Sequence, residues 1–372
     1  MIRQILFSAQ EDFSFSISLN ECLDLLESYY NDKNVLGVIF FIDSNSDAEY
    51  FESKSDINKA LDRKKLMMPF NVQAQSSKSL VSLEIWIDDS ADRIEYLSFK
   101  DTRYTRVAAS LGKSIWGIGI TSNAENLPLT DQIEYSFDTV LQILENEGMN
   151  FADVVRQWNY IPGILEIHPI NGRNLQHYQV FNEIRQKYYS TTVFKDGYPA
   201  ATGIGTRNGN FDLDFFAIKS GQYVQKVGLS NPKQHNAYEY HQAFLVGDTT
   251  LGPIKKTPLF ERAKMLKTDD ETMIFISGTA SIIGQETIGI GDIKRQTEIT
   301  INNMQELIPN LNDLKKLQYT YVRAYIKEEE DFQTVKSICE SSFPKVSVSY
   351  LQADVCRDNL LVEIEGAVFV GS

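Results

Sequence analysis

The chain has little of what most catalytic chemistries are built from. Its 372 residues include three cysteines, Cys22, Cys339 and Cys356, and no C-x-x-C pair. An odd, sparse set of thiols makes no disulfide framework and fits a reducing, cytoplasmic compartment. None of the four histidines, His168, His177, His235 and His241, forms a metal-binding spacing with another ligand type, so no metal is expected. There is no G-x-S-x-G elbow, no Walker A sequence and no G-x-G-x-x-G opening a helix, so no nucleotide or other cofactor is expected either. "GIGTRNG" (203–209) reads as turns, with Gly209 at the tip of a hairpin. The longest apolar run, "VLGVIFFI" (35–42), is far shorter than a membrane span, and "MIRQILFSAQEDFSF" has no apolar core of signal-peptide length. Positive charge is also in deficit: 36 Lys and Arg against 50 Asp and Glu leave −14. Such a chain repels phosphate backbones, and it has no basic run interleaved with aromatics. "DRKKLMM" (62–68) reads as a solvated helix end. Nucleic acid and membrane are therefore not expected partners. A small anionic substrate is, because a few arginines in a cleft override the global field.

What is present is regular structure with an internal echo. Residues 1 to about 125 read as strands and hairpins, with a helix over 18–32. From 131, apolar Phe137, Val140, Leu141 and Leu144 have helical spacing, and Gly148 ends that helix. A strand around 152–164 and a helix over 176–189 follow. The same order returns as a helix over 293–308, a strand over 314–326 and a helix over 330–343. This helix–strand–helix duplication predicts two α+β domains, 1–190 and 191–372, joined through "STTVFKDGYPA" (190–200). "ISGTASIIGQETIGIGD" (276–292) is a turn of small residues, in which Ser277 and Ser281 satisfy backbone groups and backbone N–H groups can approach a compact ligand.

The last strand, "NLLVEIEGAVFV" (359–370), carries Glu363 and Glu365 two residues apart, hence on one face and about 6.5–7 Å apart at Cα. If that face lines an occluded cleft, desolvation and the neighbouring charge both raise a carboxyl pKa, giving a general acid near neutral pH. The alternative is an edge strand with ordinary solvated carboxylates.

"YVRAYIKEEEDFQTVKSICESSFP" (321–344) with the "VEIE" strand resembles the C-terminal half of the RidA/YjgF fold. The deaminase branch of that superfamily carries an arginine on the strand before "VEIE". Here none lies between Ala324 and Cys356, which argues against enamine or imine deamination. A longer series is similar to the chorismatases, two-domain relatives of RidA: "RQWNYIPGI" (156–164), "YQVFNEIR" (178–185), "YPAATGIG" (198–205), "AYEY" (237–240), "LFERA" (259–263), "SGTASIIGQETIGIGD" (277–292) and "ADVCRDNLLVEIEG" (353–366). The resemblance implies two RidA/YjgF-like (chorismate-mutase-like) domains, each a mixed β-sheet covered by helices on one face. It also implies an enzyme that takes pyruvate from chorismate without metal or cofactor. Glu363 is the expected acid. Arg156, Arg262 and Arg323 are expected to hold the two carboxylates, and Tyr238 a ring hydroxyl. Cys356 and Ala263 fall where subclasses vary and steer product choice; Cys356 favours 3-hydroxybenzoate over a dihydroxycyclohexadiene carboxylate. A deaminase or a non-catalytic ligand-binding protein are the competing readings. The expected assembly is a homotrimer, as in RidA, or a monomer with a pseudo-symmetric domain interface.

Overall fold

The structure is a computed structural model that describes residues 1–371 except 11–12, 33, 76–78, 110–111, 125–126, 171, 221–223, 246–254, 270 and 309–316. Its chain is α+β, with three main sheets. The first comprises β1 (Ile2–Ser8), α1 (Phe15–Asp32), β2 (Val35–Ile42), α2 (Asp47–Arg63), β3 (Phe70–Gln73) and β4 (Val81–Asp88), in strand order β1-β4-β2-β3. β2 is "VLGVIFFI", buried on both faces, which is why it reads as a continuous apolar run. Ser46 caps α2, accepting from the Glu49 N–H, with Asp47 and Glu49 in the positive first turn.

The second unit holds β5 (Ala91–Phe99), β6 (Thr102–Ala109), β7 (Gly112–Thr121), α3 (Leu129–Asn146), β8 (Val154–Pro162), a hairpin of β9 (Ile167–Ile170) and β10 (Arg173–Gln176), α4 (His177–Tyr189), β11 (Ala200–Thr206) and β12 (Asp212–Ser220). Its main sheet runs β11-β8-β12-β7-β6-β5. The third unit holds β13 (Gln225–Leu229), β14 (Ala263–Lys267), β15 (Glu271–Ala280), the short pair β16 (Ile282–Ile283) and β17 (Glu286–Thr287), α5 (Ile293–Glu306), β18 (Leu317–Ile326), α6 (Phe332–Ser342), β19 (Val348–Gln352) and β20 (Val362–Gly371). Its main sheet runs β13-β14-β15-β20-β18-β19.

Read from the other end, the third order matches the second strand for strand. The first unit repeats the four strands at one end of that order, the counterparts of β11-β8-β12-β7, and lacks the two at the other end. The repeat is therefore threefold, not twofold, and residues 1–88 are its shortest copy. The sheets also move the expected boundary at 190/191: β11 and β12 pair with β8, and β12 also with β7, so the second unit runs on to 220. Gly209, at φ +92°, turns the chain between β11 and β12, but these flank β8 and form no hairpin. The "PNLND" break and residues 314–316 lie outside the described residues.

Each sheet carries its helices on one face: α1 and α2 contribute to the first core, α3 and α4 to the second, α5 and α6 to the third. The opposite faces meet in a central core around Trp86, Trp116, Trp158, Phe216, Phe275 and Tyr321. Trp86 touches Trp116, Trp158 and Tyr321 at centroid separations of 5.5, 5.6 and 4.8 Å, so one aromatic cluster ties all three sheets together. Among the described residues no helix is long and apolar enough to cross a membrane.

Candidate active site

The threefold repeat explains where the carboxylates lie. Ser82 pairs with the last residue of β1, Asp212 with the last of β7 and Glu363 with the last of β15. These three positions are equivalent, and two residues on stand Glu84, Asp214 and Glu365. β20 is an inner strand, so Glu363 and Glu365 are not on a solvated edge.

Glu365 is fully buried and receives four donors. Trp158 Nε1 and Arg323 Nη1 donate to Oε1 at 2.8 and 3.0 Å; Arg156 Nη2 donates to Oε2 at 2.6 Å, and the Thr202 hydroxyl donates to the same oxygen. Arg323 also binds Glu84 through Nε and Nη2, and donates to Tyr160 and Tyr325. Arg323 thus bridges carboxylates of the first and third units. The tertiary partners are 239 residues apart in sequence, which no local pattern reports.

Glu363 is 5% exposed and lines a cavity at the boundary of the second and third units. No hydrogen-bond donor meets its carboxyl among the described residues. Burial pushes its pKa up to about 8; the Glu365 charge adds to the rise, while Arg156 and Arg262 oppose it. Gly278 makes this placement possible, since a Cβ there would overlap Glu363 Oε1 and sit 3.1 Å from Thr202 Oγ1.

The lining of the same cavity is rich in cations. α4 presents Tyr178, Gln179, Asn182 and Arg185; Arg262 and Arg357 come from the third unit. Arg185 is 2% exposed, lies over Phe181 and donates to Asn182 Oδ1 at 2.7 Å; among the described residues its Nε has no partner, and burial lowers its pKa. Arg262 donates to the His235 carbonyl and the Tyr240 hydroxyl. Arg357 donates to the Gln285 carbonyl at 2.8 Å. None of the three has a carboxylate partner among the described residues.

The expected residues divide accordingly. Glu363, Arg262 and Cys356 meet at the cavity. Burial, then the Glu363 charge, pushes the Cys356 thiol up to about 12, so it is a neutral, space-filling group. Arg156 and Arg323 do not line the cavity, because Glu365 and Glu84 occupy their guanidiniums. Tyr238 also lies outside it, its hydroxyl 3.4 Å from Glu261 Oε2; Tyr240 takes the cavity-facing position. Ala263 is fully buried on β14 in the helix-side core of the third unit; the alanines that line the cavity are Ala201 and Ala280. In the small-residue stretch the Gly278 N–H donates to Thr202 Oγ1 at 3.0 Å, so this donor is not free for a ligand. Sequence reasoning missed Arg185, Arg357 and Tyr240. Tyr178, Asn182 and Arg185 are four and three residues apart on α4, a polar row at helical spacing, and that was the available signal.

The paired-acid boundary with its uncommitted arginines has relatives. Residues 84–217 match a family model described as chorismatase FkbO/Hyg5-like, N-terminal. A 3-hydroxybenzoate synthase of Streptomyces hygroscopicus is 32% identical over 255 residues, 64% of this chain and 69% of that protein. The chain belongs to the chorismatase family. A second S. hygroscopicus protein, named chorismatase, is 29% identical over 67% of this chain and 71% of its own length. A chorismatase crystal structure superposes over 99% of both chains with a TM-score of 0.69 at 21% identity, so the complete fold, first unit included, is a chorismatase fold.

Proposed function

We propose that the protein releases pyruvate from chorismate and forms a hydroxybenzoate, with 3-hydroxybenzoate as the favoured product. The observation that carries this is Glu363: a buried carboxyl, its pKa raised to about 8, lining one cavity with three arginines that have no carboxylate partner among the described residues. Chorismate is a dianion with an enol ether. Arg185, Arg262 and Arg357 suit its two carboxylates, since a planar guanidinium binds a carboxylate by two parallel hydrogen bonds. Glu363 then delivers its proton to the enolpyruvyl methylene carbon. The C=C electrons form the new C–H bond, and the ether oxygen shares the resulting positive charge. The Glu363 carboxylate left behind stabilises that oxocarbenium ion. In capture by the ring, the ring hydroxyl oxygen adds to the cationic carbon, its proton returns to the Glu363 carboxylate, and a cyclic ketal closes. Loss of the proton on the ring carbon that bears the ether oxygen, with cleavage of the other ring C–O bond, aromatises the ring, and the aryl hemiketal left behind collapses to 3-hydroxybenzoate and pyruvate with no net uptake of water. Direct capture by water instead would give pyruvate and a dihydroxycyclohexadiene carboxylate. The relative named 3-hydroxybenzoate synthase and the neutral Cys356 at the cavity favour the aromatic outcome.

The test is to incubate purified protein with chorismate, follow pyruvate, and identify the ring acid by chromatography and mass. Pyruvate with 3-hydroxybenzoate is expected. Pyruvate with the diene acid would replace ring capture by water capture. Absence of pyruvate would overturn the proposal.

A further inference from the structure

We propose that Glu166, His168 and His177 form a surface site for a divalent transition-metal ion of the zinc class, at the junction of the β9–β10 hairpin and α4. The three side chains each place a ligand atom within 4.8 Å of the other two. Local backbone structure enforces this. Glu166 and His168 are two apart on an extended segment, so they share a face. His177 lies across from Glu166, its N–H donating to the Glu166 carbonyl at 3.0 Å, which continues the ladder in which Leu175 pairs with His168. The two imidazoles stack with centroids 4.9 Å apart and an interplanar angle of 24°.

The state of His177 decides the chemistry. Its Nδ1 lies 2.8 Å from the Pro162 carbonyl oxygen. A carbonyl only accepts, so Nδ1 carries the proton and Nε2 presents a lone pair. This is the arrangement by which a backbone carbonyl orients a metal-ligating histidine. His168 Nε2 and Glu166 Oε2 are 2.9 Å apart, close to the separation of two ligand atoms on one ion. Two imidazole nitrogens and one carboxylate oxygen, exposed enough to leave positions for water, suit zinc and its neighbours and do not suit magnesium. The cluster is outside the cavity containing Glu363, although His177 opens the helix that supplies Tyr178, Asn182 and Arg185. A bound ion would join the hairpin base to the first turn of that helix.

The experiment is calorimetric titration of tag-free, full-length protein with zinc chloride, with magnesium chloride as comparison. The wild type is expected to bind one zinc ion per chain with a Kd in the micromolar range and to gain Tm, and magnesium to do neither. His168→Ala/His177→Ala should bind zinc at least tenfold more weakly and lose the Tm gain, and Glu166→Gln should fall between. The single variant His168→Ala, at an exposed position, guards against loss of folding in the double variant. Zinc binding weaker than about 1 mM by the wild type, or equal binding by the double variant, would overturn the assignment.

Discussion

Raising the pH should switch the enzyme off and weaken the fold through one group, Glu363. Its carboxyl is held at about 8 against an ordinary 4.5. As the proton donor it must be protonated, so kcat/KM should be level below pH 7 and fall tenfold per pH unit above about 8. The same group acts on stability with a defined sign. The folded state binds this proton more tightly than the unfolded chain does, so stability declines as pH rises from about 4.5 to 8 and the loss is complete above 8. The displacement from 4.5 to about 8 amounts to about 5 kcal/mol, at roughly 1.4 kcal/mol per tenfold. Glu363→Gln keeps the shape and cannot ionise. It should lose about 10³-fold in pyruvate release, within the range for removing a general acid, while unfolding at higher denaturant than wild type at pH 9. Both curves are measurable on one preparation, by coupled pyruvate assay and by urea titration across pH 5–10. A kcat/KM profile without a basic limb near 8, or a Glu363→Gln enzyme with full activity, would refute the reasoning.

Three further outcomes are expected. Arg185→Met should raise KM for chorismate at least tenfold with a smaller effect on kcat, and should leave Tm unchanged or higher, because it removes a desolvated cation that has no carboxylate partner among the described residues; a lowered Tm with unchanged KM would make Arg185 structural. Gly278→Ala should fold, as judged by circular dichroism, yet lose at least 100-fold in kcat/KM, because its methyl displaces the Glu363 carboxyl. Asp214, raised from 3.8 to about 7 chiefly by burial, costs stability progressively as pH rises between those values, and the loss is complete above about 7; Asp214→Asn should add stability at pH 8, up to about 4 kcal/mol, and almost none at pH 4 by urea titration.

The pairing of Glu363 and Glu365 was legible in the sequence because a period-two strand puts both on one face; that the face is an inner one, desolvating both, follows from strand order and not from the strand itself. Their different fates were not legible. Glu365 meets Arg156 and Trp158, more than 200 residues away in sequence, while Glu363 meets a cavity. Arginine on a strand was read as a substrate contact. In this fold the strand arginines Arg156 and Arg323 point inward to carboxylates of neighbouring units, and the arginines left for a ligand sit on a helix and in loops. Arg185 carries no mark of its own within "YQVFNEIR": that Gln179, Asn182 and Arg185 are buried on α4 depends on the tertiary packing of the helix. The first unit escaped as a repeat because it lacks the two strands at one end of the order in the other copies.

The three copies are joined in one chain, and their boundaries have diverged. At the boundary of the first and second units Gln73 and Lys54 cover Asp212, and Asn71 holds Asp214. At the boundary of the third and first, Ser82 stands where Glu363 would, and Glu84 grips Arg323. In a ring of identical chains any substitution appears three times, so a residue that builds a strut also builds one inside each pocket. Tandem linkage makes each boundary separately addressable. A change at Glu363 alters one cavity and leaves the other two seams as they were, which lets the same scaffold keep a cavity at one seam and cohesion at the rest.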